Sequence, residues 1–117
     1  MKIRFIADSD LKRMKGLMHQ DPLDIDECAL FVFPYNGKHT FWNKNVSLPI
    51  SLFFCNADKE ILDIKKLEPE QREPVCSDSY DIKYVIEAHI DLFDKNKKGK
   101  KIKIKDMEVN FDGPNTK

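Results

Sequence analysis

Glycine is scarce in this chain, with four in 117 residues and no two of them near each other. That excludes the glycine-rich loops that wrap backbone N–H groups around a nucleotide phosphate. Cysteine is equally sparse: Cys28, Cys55 and Cys76 stand far apart, and no Cys-x-x-Cys occurs. A zinc ribbon or redox pair is therefore not expected, and three thiols without a pairing framework suit a reducing compartment. Cys55 lies in an apolar stretch and reads as a small buried hydrophobe. Neither serine nor cysteine falls in a nucleophile motif. His19, His39 and His89 are scattered, each without a cysteine or carboxylate at ligand spacing, so neither a metal nor a cofactor is expected.

Charge of one sign is missing too. The formal net charge is zero, which removes any overall pull toward nucleic acid or an acidic membrane surface. Lysine outnumbers arginine 17 to 3. No apolar run approaches the roughly 18 residues of a membrane-spanning helix. The start, Met-Lys-Ile-Arg-Phe-Ile, has neither an apolar signal core nor a cleavage motif, and the expected location is cytoplasmic.

What is present is a period-2 pattern. Lys2–Ala7 alternates around Ile3 and Phe5 and predicts a first strand. A capping Asp8 or Ser9, followed by Leu11, Met14, Leu17 and Met18 at helical spacing, predicts a short helix over 9–16, weakened at Gly16. Ala29–Phe33 reads as a buried strand stopped by Pro34. Tyr35-Asn36-Gly37-Lys38 reads as a turn into a second strand, His39–Trp42, making a hairpin. Ile50–Asn56 and Glu60–Leu67 form another hairpin, and 68–79, with Pro69 and Pro74, reads as a long loop. Further strands follow at 83–90, 101–105 and 109–111, with a helical turn in 91–98. Short strands at close spacing predict one mainly β domain over 1–112, a compact antiparallel sandwich or barrel-like fold with one short N-terminal helix, and a frayed tail at 113–117. Phe31, Phe33, Phe41, Leu52, Phe54, Ile61, Ile64, Val85 and Ile102 form the expected core.

Several motifs occur together in order: Arg13 with Gly16-Leu17-Met18, Leu30-Phe31-Val32-Phe33-Pro34, Phe41-Trp42-x-Lys44-Asn45, Pro49, an acidic turn at Asp58, Pro69, Tyr84-Val85-Ile86-Glu87, and Asp106. This set resembles the DUF192 family, a domain of unknown function, over about residues 10–110. The resemblance implies a compact β-sandwich or barrel-like domain and no agreed activity; relatives occur in bacteria, archaea and phages, and many look exported. The family usually carries Trp-Met-Lys-Asn-Thr where this chain has Asn43 and Val46, and an aspartate where it has Ser51. Any chemistry needing that threonine or aspartate is weakened accordingly.

The candidate site is Trp42, Lys44, Asn45 and Glu87, at one rim of the sheet. Alternation puts Trp42 and Lys44 on one side of an extended segment, and a Lys44–Glu87 pair beside the indole suits an anionic or amide ligand. The plainer reading is a structural knot in which Lys44 pairs with Glu87 and Asn45 satisfies loop backbone. Arg13 and Asp106 are secondary candidates, although an arginine at this position more often ties the helix to a carboxylate among Asp24, Asp26 and Glu27. The leading functional expectation is a small binding or accessory domain for a polar ligand or protein segment. An alternative is an enzyme acting on a small anionic or carbohydrate-like substrate, with Glu87 or Asp106 as acid–base and Lys44 as electrostatic stabiliser. A third is weak nucleic-acid contact through the seven lysines of Lys95–Lys105, although that run lacks interleaved aromatics and reads more simply as a solvated edge.

Overall fold

The computed structural model describes residues 1–112, so the expected tail at 113–117 lies outside the described residues. Seven strands form one sheet: β1 (Lys2–Ala7), β2 (Glu27–Gly37), β4 (Ile50–Cys55), β5 (Ile61–Leu67), β7 (Ile82–His89), β8 (Lys101–Lys105) and β9 (Glu108–Asp112). Their spatial order is β5-β4-β7-β2-β1-β9-β8. Two short strands, β3 (Thr40–Phe41) and β6 (Val75–Cys76), pair separately. The helix α1 is Asp10–Lys15, and Ser9 caps it by accepting the Lys12 N–H. Two 3-10 turns, Ile90–Leu92 and Lys95–Lys97, occupy the stretch expected to turn.

The sheet curls into a half-barrel. Its two terminal strands meet at one end, where Glu60 bridges Lys101 and the Ile61 and Ile102 N–H groups donate to Lys100 and Lys59 carbonyls at 2.8 and 2.9 Å. Alternation along each strand then makes two cores. Ile3, Cys28, Leu30, Phe53, Cys55, Ile86, Ile102 and Val109 fill the curl. Ala29, Phe31, Leu52, Phe54 and Val85 face the other way, under Leu17, Leu23 and Phe41. Both faces are covered, which is why β4 is buried at all six positions rather than at every second one.

Pairing is antiparallel except between β1 and β2, which run parallel. A parallel pair needs a crossover, and α1 with the loop after it supplies one. The expected hairpin between the strands at 29–33 and 39–42 does not form. β2 runs on through Pro34 to Gly37, which pairs with Ile82, and β3 pairs with β6 inside the stretch read as a loop. Pro34 is tolerated because the ladder with β7 is interrupted between Val32 and Gly37, so no N–H is needed there. Phe33 follows this interruption: it is half-buried, while the other eight expected core residues are buried.

The β8–β9 hairpin closes through Asp106 and Met107, both at positive φ (54° and 59°), with Lys105 opposite Glu108. Two consecutive left-handed residues in a two-residue loop make a type I′ turn, whose twist matches that of the strands. Asp106 therefore has a turn position, apart from the candidate site. Among the described residues no helix is long and apolar enough to cross a membrane.

Candidate functional site

Glu87 sits in the middle of the sheet. On β7 it lies opposite Ala29 of β2 and Leu52 of β4, neither of which has a side chain that can hydrogen-bond. It is 5% exposed, and burial pushes its carboxyl up to about 8. No hydrogen bond or ion pair reaches that carboxyl group among the described residues. Among the described residues no fully enclosed side-chain oxygen or nitrogen lacks a partner, so the Glu87 oxygens border accessible space. That space is a cavity of about 30 Å³ lined by Arg13, Gly16, Phe31, Phe41, Trp42 and Glu87, among others.

The walls follow from local structure. α1 ends at Gly16, whose φ of 47° and ψ of −129° belong to a region open to glycine alone. The chain reverses there, sending Leu17 into the core and leaving Met18 at the rim. Phe31 meets Phe41 edge-to-face at 5.1 Å, and a Cβ on Gly16 would touch the Phe31 ring at 3.6 Å. Arg13 is held by the Val32 carbonyl at 2.6 Å and by Asp10 at 2.8 Å, with its guanidinium 5.3 Å from the Phe33 ring centre. His39 stacks on the same Phe33 ring at 3.6 Å and donates from Nε2 to the Ile82 carbonyl. Burial first, and then the nearby Arg13 charge, hold this histidine below its usual range, against the carbonyl contacts that raise it.

The four sequence-predicted residues divide. Trp42, 47% exposed, and Glu87 line the same cavity from mouth and floor. Lys44 lies over the indole, its Nζ 5.4 Å from the ring centre, and forms no ion pair with Glu87. The expected Lys44–Glu87 bridge thus fails, because β7 carries Glu87 beneath the aromatic layer while Lys44 stays with its charge near water. Asn45, at φ 60°, lies in a neighbouring cleft and donates its backbone N–H to Glu70 at 3.2 Å. The tie between a strand and the 21–27 loop is made by Arg4, which holds Glu27 at 2.6 Å and the Asp21 and Pro22 carbonyls; Arg13 does not make it.

Asn43 is the residue that sequence reasoning passed over. It is buried, and its side-chain amide donates to the Leu48 carbonyl at 2.8 Å and the Glu68 carbonyl at 3.0 Å. Its own N–H donates to Gln71 and its carbonyl accepts from Val46. The signal was present in the alternation: if Trp42 and Lys44 point outward, Asn43 points in. Asn43→Ala should cost about 1–3 kcal/mol, because two carbonyls lose their donor inside the fold. Chemical denaturation checks this, and an unchanged midpoint would mean that water replaces the amide.

The adjoining cleft, about 110 Å³, is lined by Leu17, Leu23, Val46, Leu48 and Ile50, with His19, Asp21 and Asn45 at its polar edge. Leu17 and Val46 belong to both spaces and form the sill between them. Burial pushes the Cys28 and Cys55 thiols up to about 12, which keeps them as thiols. Among the described residues no three His, Cys, Asp or Glu side chains are grouped to hold a metal.

The family model of DUF192, described as an uncharacterized ACR, matches residues 3–104, and the chain belongs to that family. A protein of unknown function from Novosphingobium aromaticivorans DSM 12444 shares the fold, with a TM-score of 0.67 and 24% identity over 74% of this chain and 63% of that one. A candidate transcription regulator from Sinorhizobium meliloti 1021 is similar with a TM-score of 0.68 and 27% identity, over 72% and 65% respectively. The aligned part is therefore less than two thirds of either protein's length. No curated protein matches the chain.

Proposed function

We propose that this DUF192 domain is a non-catalytic binding module that takes the polar end of a small ligand into the cavity between Trp42 and Glu87. The observation that carries this reading is Glu87: a carboxyl group in a residue 5% exposed that meets no hydrogen-bonding side chain or backbone group among the described residues and borders a cavity. Leaving a buried polar group without a partner costs about 1–3 kcal/mol, and a ligand that supplies the partner recovers that energy on binding. Trp42 adds a large, half-exposed aromatic face at the mouth, which shields the contact from water. Catalysis is less well served. Glu87 is the only carboxylate lining the cavity among the described residues, and Asp106 lies in the β8–β9 turn, so no acid–base pair is assembled.

Protein-observed NMR with a library of small polar fragments tests the proposal. Binders should perturb Gly16, Leu17, Phe41, Trp42 and Val46 together, and Trp42→Ala should weaken them about tenfold by removing the aromatic wall. Shifts that cluster elsewhere, or a library without effect on these residues, would remove the module reading.

A further inference from the structure

The binding reading leaves the ligand's chemistry open, and three features of the cavity and its surroundings narrow it. The first is charge. The ionisable groups that line the cavity besides Glu87 are Arg13 and Lys15, both cations on the α1 side. Lys44 lies over the Trp42 ring, its Nζ 5.4 Å from the ring centre. The strands packed against Glu87 present only Ala29 and Leu52 beside it, and the segment after β3 presents Trp42, Asn43 and Val46. Asp10 balances part of the Arg13 charge, but it does so from full exposure, where screening is strongest. The mouth therefore favours an anion and repels an amine.

The second feature is proton state. Burial keeps the proton on Glu87 at neutral pH, so its O–H donates. A carboxylic acid kept neutral by an apolar site is a donor suited to an anionic acceptor. The third is size. The enclosed space is small, about 30 Å³, which suits a head group of a few atoms. The cleft beyond the Leu17–Val46 sill is walled on one side by Leu23, Leu48 and Ile50 and edged on the other by His19, Asp21 and Asn45, and its apolar wall has room for a short hydrocarbon chain.

Resting on the binding reading above, we infer that the ligand is a short-chain aliphatic monocarboxylate. Its carboxylate accepts a hydrogen bond from the Glu87 carboxyl group, and its tail crosses Leu17 and Val46 into the cleft walled by Leu23, Leu48 and Ile50. The rim cations attract the head group without having to bury their own charges. The tail adds apolar contact along a wall that is otherwise exposed at Leu48.

Isothermal titration of the intact chain with hexanoate, hexanamide and hexylamine, from pH 6 to 9.5, separates the head groups on one constant tail. Hexanoate should bind tightest. Its affinity should fall about tenfold per pH unit once Glu87 loses its proton, since the probe's own carboxylate is already ionised throughout this range. Glu87→Gln should keep hexanoate binding, because the amide N–H still donates, and should abolish the pH dependence. Glu87→Leu should lose at least tenfold in affinity while keeping a native circular dichroism spectrum. The wild-type pH series stands even if a variant misfolds. Hexylamine binding tightest, an affinity that rises with pH, or hexanoate binding that ignores pH would overturn the carboxylate assignment and leave the binding module in place. If none of the three binds while NMR fragments still map to Trp42, the assignment alone fails. If both experiments are blank, the module reading fails with it.

Discussion

Phe31→Ala should destabilise the fold by about 3–5 kcal/mol, the usual cost of deleting a fully buried phenylalanine together with the cavity left behind. Phe31 is 1% exposed. It meets Phe5 at 6.2 Å and Phe41 at 5.1 Å, both edge-to-face, and supports the tight reversal at Gly16. Relaxation around the deleted ring is limited from below, since Phe31 is paired in register with Ala7 on one side and Val85 on the other. The same substitution in Phe33 should cost clearly less. That ring is half-buried beside an interrupted ladder; a histidine and a guanidinium lie against it, and it meets the core through an edge-to-face contact with Phe41 at 6.1 Å. Urea denaturation of both variants checks the order. Equal losses would mean that Phe33 is as much a part of the core as Phe31.

The second large effect is a stability that depends on pH through one residue. Glu87 has an ordinary carboxyl value near 4.5 in the unfolded chain and about 8 in the fold. The folded form therefore holds a proton that the unfolded form has released, throughout the window between those values. Stability from this group is fully present below pH 4.5, falls as the pH rises through the window, and levels off above 8. At about 1.4 kcal/mol per unit, the loss across the window is on the order of 5 kcal/mol. Glu87→Gln, which cannot ionise, should match the wild type near pH 4 and exceed it by several kcal/mol at pH 9. Denaturation of the two proteins at matched pH gives the difference directly, free of other titrations common to both. Parallel curves would show that Glu87 is solvated or paired in the fold. A ligand that holds the Glu87 proton would steepen the same curve when added, which links this measurement to the binding experiments.

These two residues also show how far pattern reading reaches. Alternation places Phe31 and Glu87 on strands and places Phe31 in a core, because side-chain direction in a strand has period two whatever the neighbours are. It does not say which strand lies beside which. Glu87 sits opposite Ala29 and Leu52 only because β7 runs between β2 and β4, and that order is a property of the whole sheet. The expected salt bridge with Lys44 was a statement about residues 43 positions apart, and depth decided it: Glu87 lies under Phe31 and Phe41, and Lys44 lies over Trp42. Asn43 belongs to the same alternating segment and points inward, where its amide donates to the Leu48 and Glu68 carbonyls. Pro34 read as a strand end because proline removes a ladder donor; at a position where the ladder is already interrupted, that loss has no consequence.

The sequence by itself determined the β character of the chain, the short capped helix before Gly16, the hairpin from Ile50 to Leu67 and the membership of its family, because each depends on residue periodicity, local turn chemistry or ordered motifs. The tertiary structure alone decided the parallel β1–β2 pair, the separate β3–β6 ribbon, the closure at Glu60 and Lys101, and the burial of the Glu87 carboxyl beneath Trp42. Those features depend on contacts between segments far apart in the chain, whose energies come from desolvation and packing and leave no trace in local spacing.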